Sequence, residues 1–302
     1  MSHAILVDLT ACVGCGACRD ACQQIHKFPE VESVKLDAHN FTTLRVHEDK
    51  ESGTETYIRQ MCRHCQEPAC ASVCLVGAIE KTKDGAVIWD TNKCIGCRYC
   101  MLACPYDIPK YEWDSMSPKI RKCTMCYQER HVTADMEVDS AGFVVDAKGE
   151  RVLVDGREIT AEDRDTIVEM TTDADGNRAS ACSVACPAEA TFFGDRDELL
   201  AEAQRRIREN PDDYFPRVYG QTEVGGTSVF YLSNVSFESL GFNTNLEHTP
   251  LPEKTWSVLE KIPDIVVTAG VALGAVYWIT SRREGVKRYE DEVKKNRFNK
   301  KA

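Results

Sequence analysis

The chain has 302 residues, 43% of them hydrophobic and 28% charged, a globular balance that excludes disorder as its general state. Its formal charge of −11 excludes a nucleic-acid scaffold, because neutralising phosphates takes a basic surface that this composition lacks. The 16 cysteines are out of proportion to the rest, and all lie between Cys12 and Cys186, so a cofactor or a covalent framework occupies that stretch.

In chain order, a predicted strand from Ala4 to Asp8 leads into Cys12, Cys15, Cys18 and Cys22, and a second group follows at Cys62, Cys65, Cys70 and Cys74. A strand from Ala86 to Trp89 leads into Cys94, Cys97, Cys100 and Cys104, and the last four are Cys123, Cys126, Cys182 and Cys186. The first and third groups have the bacterial ferredoxin spacing C-x2-C-x2-C-x3-C, and Pro follows Cys104 and Cys186. Each Cys-x3-Cys end suits a helical turn. Sixteen thiols in fours make four [4Fe-4S] clusters the arithmetic expectation.

The same spacing predicts which thiols share a cluster, since in two-cluster ferredoxins the fourth cysteine of each run ligates the other run's iron. The expected sets are Cys12, Cys15, Cys18 and Cys186 (first), Cys22, Cys123, Cys126 and Cys182 (second), Cys62, Cys65, Cys70 and Cys104 (third), and Cys74, Cys94, Cys97 and Cys100 (fourth). The expected fold is α+β, with two nested ferredoxin-like dicluster modules. Zinc ribbons also use C-x2-C pairs but rarely this run. Disulfides favour small secreted domains, and cysteines so close together could not all be bridged without strain.

Every set has its full four thiolates, so no iron is left open to a substrate. No G-x-S-x-G elbow, P-loop or H-E-x-x-H occurs elsewhere. Electron transfer needs only saturated clusters, and an enzyme that itself reduces a small substrate is the rival reading. His64, inside a cysteine run, is a candidate for tuning a cluster through a hydrogen bond, with an ordinary structural or surface role as the alternative, and Arg98 for tuning by charge, with a solvated surface charge as the alternative. Lys93, Lys110, Lys119, Arg121 and Lys122 lie next to the motifs and are further sources of compensating charge.

Residues 127–181 hold fourteen acids and six Lys or Arg without a cysteine, a solvated insertion in which Val144, Val145, Val152, Val154 and Ile159 alternate as a small β-hairpin. Asp173 to Asn177 is too short for an EF-hand loop and suits a turn. Asp195 caps a helix running to about Glu209, with Leu199, Ala203 and Ile207 on one face. Residues 1–126 with 182–210 thus form the four-cluster domain, and 211–262 a covering arm and linker.

From Ile265 to Ser281 no residue is charged, so 263–281 is expected to be a transmembrane helix, with a buried core helix as the alternative. Tyr277 and Trp278 stand where an aromatic belt would, and Gly270-x3-Gly274 offers a packing face. The tail, 282–302, carries nine Lys or Arg against four acids, and the positive-inside rule keeps it cytoplasmic, with the cluster domain on the outer side of the inner membrane. No hydrophobic signal region precedes Cys12.

The run from Cys62 through Arg63, His64, Cys65, Gln66, Glu67, Pro68 and Ala69 to Cys70, and the run from Cys94 to Tyr106, resemble the second and third motifs of the four-cluster β subunits of respiratory oxidoreductases. That group includes formate dehydrogenases, dimethyl sulfoxide reductases and membrane-bound nickel–iron hydrogenases. The stretch Phe193 to Ala203, with Gly225, Gly226 and Thr227, most resembles the hydrogenase and formate dehydrogenase branches. Leu75 and Gln23 depart from the family, which often has Pro after the last cysteine of a run, and the interval from Cys126 to Cys182 is long for it.

The resemblance implies an electron-transfer subunit without turnover of its own. It implies a catalytic partner, either a nickel–iron hydrogenase or a molybdopterin or tungstopterin formate dehydrogenase, and a quinone- or cytochrome-type membrane subunit. A β subunit carrying electrons from quinol to a molybdopterin reductase is the alternative. The family also suggests export on a twin-arginine signal of the catalytic partner, and a cytoplasmic cluster domain stays open as the other case.

Overall fold

In the computed structural model, which describes residues 2–29, 35–49 and 53–299, two units are distinguished, residues 1–252 and 253–302. The first runs β1 (His3–Asp8), α1 (Ala17–His26), β2 (Thr43–Glu48), β3 (Glu55–Gln60), α2 (Ala69–Ser72), β4 (Ile79–Lys81), β5 (Val87–Trp89) and α3 (Tyr99–Ala103). It continues with β6 (Lys110–Tyr111), β7 (Ile120–Arg121), α4 (Tyr127–Arg130), β8 (Leu153–Val154), β9 (Arg157–Glu158), α5 (Ala161–Met170), α6 (Ala181–Val184), β10 (Thr191–Asp195), α7 (Arg196–Glu209) and β11 (Val229–Leu232). Helices α8 (Leu251–Leu259) and α9 (Ile262–Asn299) account for most of the second unit.

Two antiparallel strand pairs stand in the same relation to the cysteines. Strand β4 begins five residues past Cys74 and pairs Ile79 with Trp89 of β5, which ends five residues before Cys94. Strand β10 begins five residues past Cys186 and pairs Thr191 with Val7 of β1, which ends four residues before Cys12. The first pair is a local hairpin, and the second joins the two ends of the cysteine-bearing chain.

Strand β1 is central because both its faces are apolar: β10 flanks it antiparallel and β11 parallel. Ile5 and Val7 pack with Tyr219, Val229, Tyr231 and Phe237 on one side, and Ala4 and Leu6 with Phe230 and Leu232 on the other. Helix α7 covers the second face through Leu199, Ala203 and Ile207. Its start is set by Asp195, whose carboxylate accepts from the N–H groups of Asp197 and Glu198 at 2.9 and 3.4 Å.

The acidic insertion is more structured than its charge suggests. Its hairpin is reduced to isolated bridges such as Val145 to Arg151 and the two-residue pair β8–β9. Helix α5, which alternation did not reveal, is announced by Thr160 and Asp163. The Thr160 hydroxyl accepts from the Asp163 N–H at 3.2 Å and the Asp163 carboxylate from the Thr160 N–H at 3.0 Å, a reciprocal cap. Val144, Val154, Ile159 and Ile167 are buried with Ala21 and Ile25 of α1, so the insertion closes over the helix that carries Cys18 and Cys22. Asp173 to Asn177 forms the expected turn, Asp173 donating its N–H to the Asn177 carbonyl at 2.9 Å.

In the second unit, α9 runs 38 residues, through the apolar segment and on into the basic one as far as Asn299. Lys300, Lys301 and Ala302 of that basic segment lie outside the described residues. The apolar stretch reaches a mean hydropathy of 1.7 and exposes Val266, Leu273, Val276 and Trp278. A stretch of helix this long and apolar suggests a membrane anchor. Pro263 sits in its first turn, where a missing N–H breaks no bond.

Candidate metal centres

The Cys-x2-Cys loop that opens each of the four groups uses one backbone device. The residue before the second cysteine is left-handed in each: Gly14 at φ 70°, His64 at 48°, Gly96 at 69° and Met125 at 60°. That conformation curls the loop so that both thiols face inward, at a cost of roughly 1–2 kcal/mol where the residue is not glycine. At Gly14 a Cβ would run into the Tyr57 ring, so a larger residue would have to displace it.

The third and fourth cysteines of each motif are four residues apart on a helical turn: Cys18 and Cys22 on α1, Cys70 and Cys74 around α2, Cys100 and Cys104 around α3, Cys182 and Cys186 around α6. Backbone amides then close on the sulfurs. Ala78 N–H donates to Cys74 Sγ at 3.1 Å and Ala190 N–H to Cys186 Sγ at 3.3 Å, each four residues past its cysteine. Met125 N–H donates to Cys123 Sγ at 3.3 Å.

All sixteen cysteines are free thiols. Burial raises the thiol of Cys12, whose thiol neighbours are Cys186 and Cys15. Burial likewise pushes Cys18 up to about 11, Cys70 up to about 12 and Cys100 up to about 11, and raises Cys65 and Cys126. Cys65 has Cys62, Cys104 and Cys70 beside it, Cys100 has Cys94, Cys97 and Cys74, and Cys126 has Cys182, Cys22 and Cys123. Further neighbours link one group to the next: Cys18 with Cys182, Cys123 with Cys62, and Cys70 with Cys100. Cys15 and Cys97 are exposed, whereas Cys62, Cys126 and Cys182 are buried. Soft thiols in fours with amide donors on the sulfurs fit iron–sulfur clusters, and thiols held protonated by burial must shed protons when such a group binds.

His64 is fully buried, and its Nδ1 accepts from the Val87 N–H at 2.9 Å. Burial, with Lys122, Lys81 and Arg130 beside it, holds the ring well below the usual histidine range and therefore neutral. Its proton then sits on Nε2, a buried donor without an acceptor among the described residues. Arg98 is exposed and lies over the rings of Tyr111 and Trp113, at 5.4 and 5.5 Å. Lys93 pairs with Asp90, Lys110 with Asp107 and Arg121 with Glu112, while Lys119 donates to the Cys94 carbonyl at 2.7 Å. Lys122 is buried and donates to the carbonyls of Val87 and Cys123.

Three features had no signal in the spacing. Arg59 and Lys81 are cations placed among the thiols. His26, at the end of α1, is buried against Asp155 at 2.5 Å and Glu129 at 3.2 Å. Burial alone would lower His26, but the two carboxylates raise it well above its usual value, and the ion group ties α1 to the insertion.

Two family models, each described as a 4Fe-4S dicluster domain, match residues 11–78 and 54–143. The hydrogenase-2 operon protein HybA of Escherichia coli O157:H7 is 32% identical over 79% of the chain and 72% of its own length. The iron–sulfur subunit of the nitrate-inducible formate dehydrogenase of Escherichia coli K12 is 26% identical over 90% and 76%. The iron–sulfur cluster-binding subunit of a menaquinone reductase from Nitratidesulfovibrio vulgaris is 31% identical over 63% and 74%.

Proposed function

Because the chain belongs to the family of 4Fe-4S iron–sulfur subunits of respiratory oxidoreductases, we propose that its thiols hold four clusters in a row, on the first, second, third and fourth sets defined by their spacing. The protein is an electron-transfer subunit. When bound, such clusters supply one-electron transfer with no bond made or broken. The observation that carries the four-cluster reading is the thiol neighbourhood: four groups of four, linked one to the next through Cys18 with Cys182, Cys123 with Cys62 and Cys70 with Cys100. The matching strand pairs β4–β5 and β1–β10 support two nested modules, one local and one closed across the chain.

Exposure supports the direction of the row. Its ends lie at Cys15 and Cys97, so electrons enter at one and leave at the other, while no thiol of the middle sets is exposed. Around the Cys97 end Leu75, Ile95, Tyr99 and Leu102 are exposed, an apolar face suited to a partner subunit. The relatives named for hydrogenase-2, formate dehydrogenase and menaquinone reductase support a catalytic partner of the hydrogenase or formate dehydrogenase type on one side and a quinone-reactive membrane subunit on the other. The basic end of α9 supports a cytoplasmic C-terminus, with the cluster unit across the membrane.

Metal analysis with redox titration of the anaerobically purified chain tests this. About sixteen irons per chain are expected, together with electron exchange with dyes and no turnover of hydrogen or formate. About eight irons with zinc in the remaining sites, or turnover by the isolated chain, overturns the reading.

A further inference from the structure

Arg59 is placed on β3 opposite Leu44, and at 2% exposure it is among the largest fully buried side chains of the protein. Its Nε donates to Thr42 Oγ1 at 3.0 Å and its Nη1 to Thr191 Oγ1 at 3.2 Å. Both partners are neutral hydroxyls, which orient the guanidinium without balancing its charge. No carboxylate pairs with it among the described residues. A buried guanidinium left without a counter-charge is strongly destabilising, so an anion must lie close by.

Sulfur would supply that anion, as thiolate once clusters are bound, on two sides. Arg59 lines the enclosed space that Cys12, Cys15, Cys18 and Cys186 share with Val7 and Ala190. The thiols that interact most strongly with it are Cys182, of the second set, and Cys18. Cys18 and Cys182 are the thiols through which those two sets meet.

We propose that Arg59 is a positioning residue shared by two adjacent cluster sites, whose fixed positive charge raises the reduction potentials of the first and second sets together. The proposal rests on the reading that those sets hold clusters. An electron added to either side increases the negative charge facing the guanidinium. The attraction is large because it acts where water is excluded, and arginine cannot relieve it by losing a proton. One cation facing both sites lifts both and keeps them near one another, so transfer between them is close to level.

Redox titration of the full chain followed by electron paramagnetic resonance, with iron content measured on the same samples, tests the proposal. Arg59→Gln is expected to lower two of the four potentials by at least tenfold in the reduction equilibrium, or about 59 mV for one electron, and to leave the other two unchanged. Arg59→Lys, which keeps the charge and loses the fork, is expected to recover at least half of the shift. Should Arg59→Gln lose iron, a wild-type chain labelled with 15N-arginine decides the matter. Nitrogen hyperfine coupling from arginine is then expected at two clusters and disappears in Arg59→Lys. Unchanged potentials in an iron-replete Arg59→Gln, an equal shift of all four, or no arginine coupling that depends on Arg59 overturns the proposal. A wild-type chain short of sixteen irons would instead overturn the four-cluster reading, so the two failures are told apart.

Discussion

The two exposed ends of the thiol row are built differently. At the Cys15 end the thiols back onto the central sheet, and a buried guanidinium, Arg59, stands between them and the next set. At the Cys97 end, Cys100 has other thiols as its main charged neighbours, and the exposed Arg98 lies over Tyr111 and Trp113. The surroundings there are exposed and apolar, with Leu102 at 83% exposure. Buried charge suits one end to setting an electron's energy, and uncovered hydrocarbon suits the other to meeting a partner. A cation sets a potential only where solvent does not screen it, and an apolar side chain drives docking only where solvent still reaches it.

The largest expected effect breaks the row from inside the Cys15 end. Cys22 lies on the same helix as Cys18 but has Cys126 as its thiol neighbour, so Cys22→Ala should remove about four irons of sixteen and spare the set of Cys12, Cys15, Cys18 and Cys186. Iron analysis and spectroscopy check this, and loss of the spared set first would contradict the assignment. Next comes removal of residues 253–302, which should abolish membrane association and leave iron content and potentials nearly unchanged. Fractionation of the truncated chain in high salt, without its partner, reads the outcome, and sedimentation with membranes would show that α9 is not the anchor.

The contact end is sharpened by pairing a surface substitution with a core one. Leu102→Ala should change stability by no more than about 0.5 kcal/mol. Leu6→Ala, in the central strand, should cost about 2–5 kcal/mol in denaturant unfolding. Leu102→Lys should keep full iron yet lose most of the partner on co-purification, and retention of the partner would remove the apolar face from the docking surface. The smallest expected effect is that of Arg98→Gln, which should lower one potential by less than tenfold in the reduction equilibrium because its guanidinium is exposed. A drop larger than that of Arg59→Gln would reverse the ranking of the two ends.

The cysteine runs, the strands before them, the capped helix α7 and the apolar C-terminal helix were legible because each is written within a few consecutive residues. A Cys-x2-Cys loop needs one left-handed residue, and a helix needs a cap and a face, so short windows suffice. Alternation of valines in the insertion was a weaker guide. It found the apolar side that packs on α1 but missed α5, whose signal was the reciprocal Thr160 and Asp163 cap.

By itself the sequence determined the metal chemistry, since thiol number and spacing select iron–sulfur ligation wherever the loops come to lie. It also determined the apolar span, since length and hydropathy are properties of one helix. Only the tertiary structure decided which charges are buried among the thiols. Arg59 meets Thr191 across 132 residues, and His26 meets Asp155 across 129. A charge acts strongly only when long-range packing has taken it out of water, and no local pattern records that: Arg98, inside a cysteine run, stays in solvent, while Arg59, outside every run, does not.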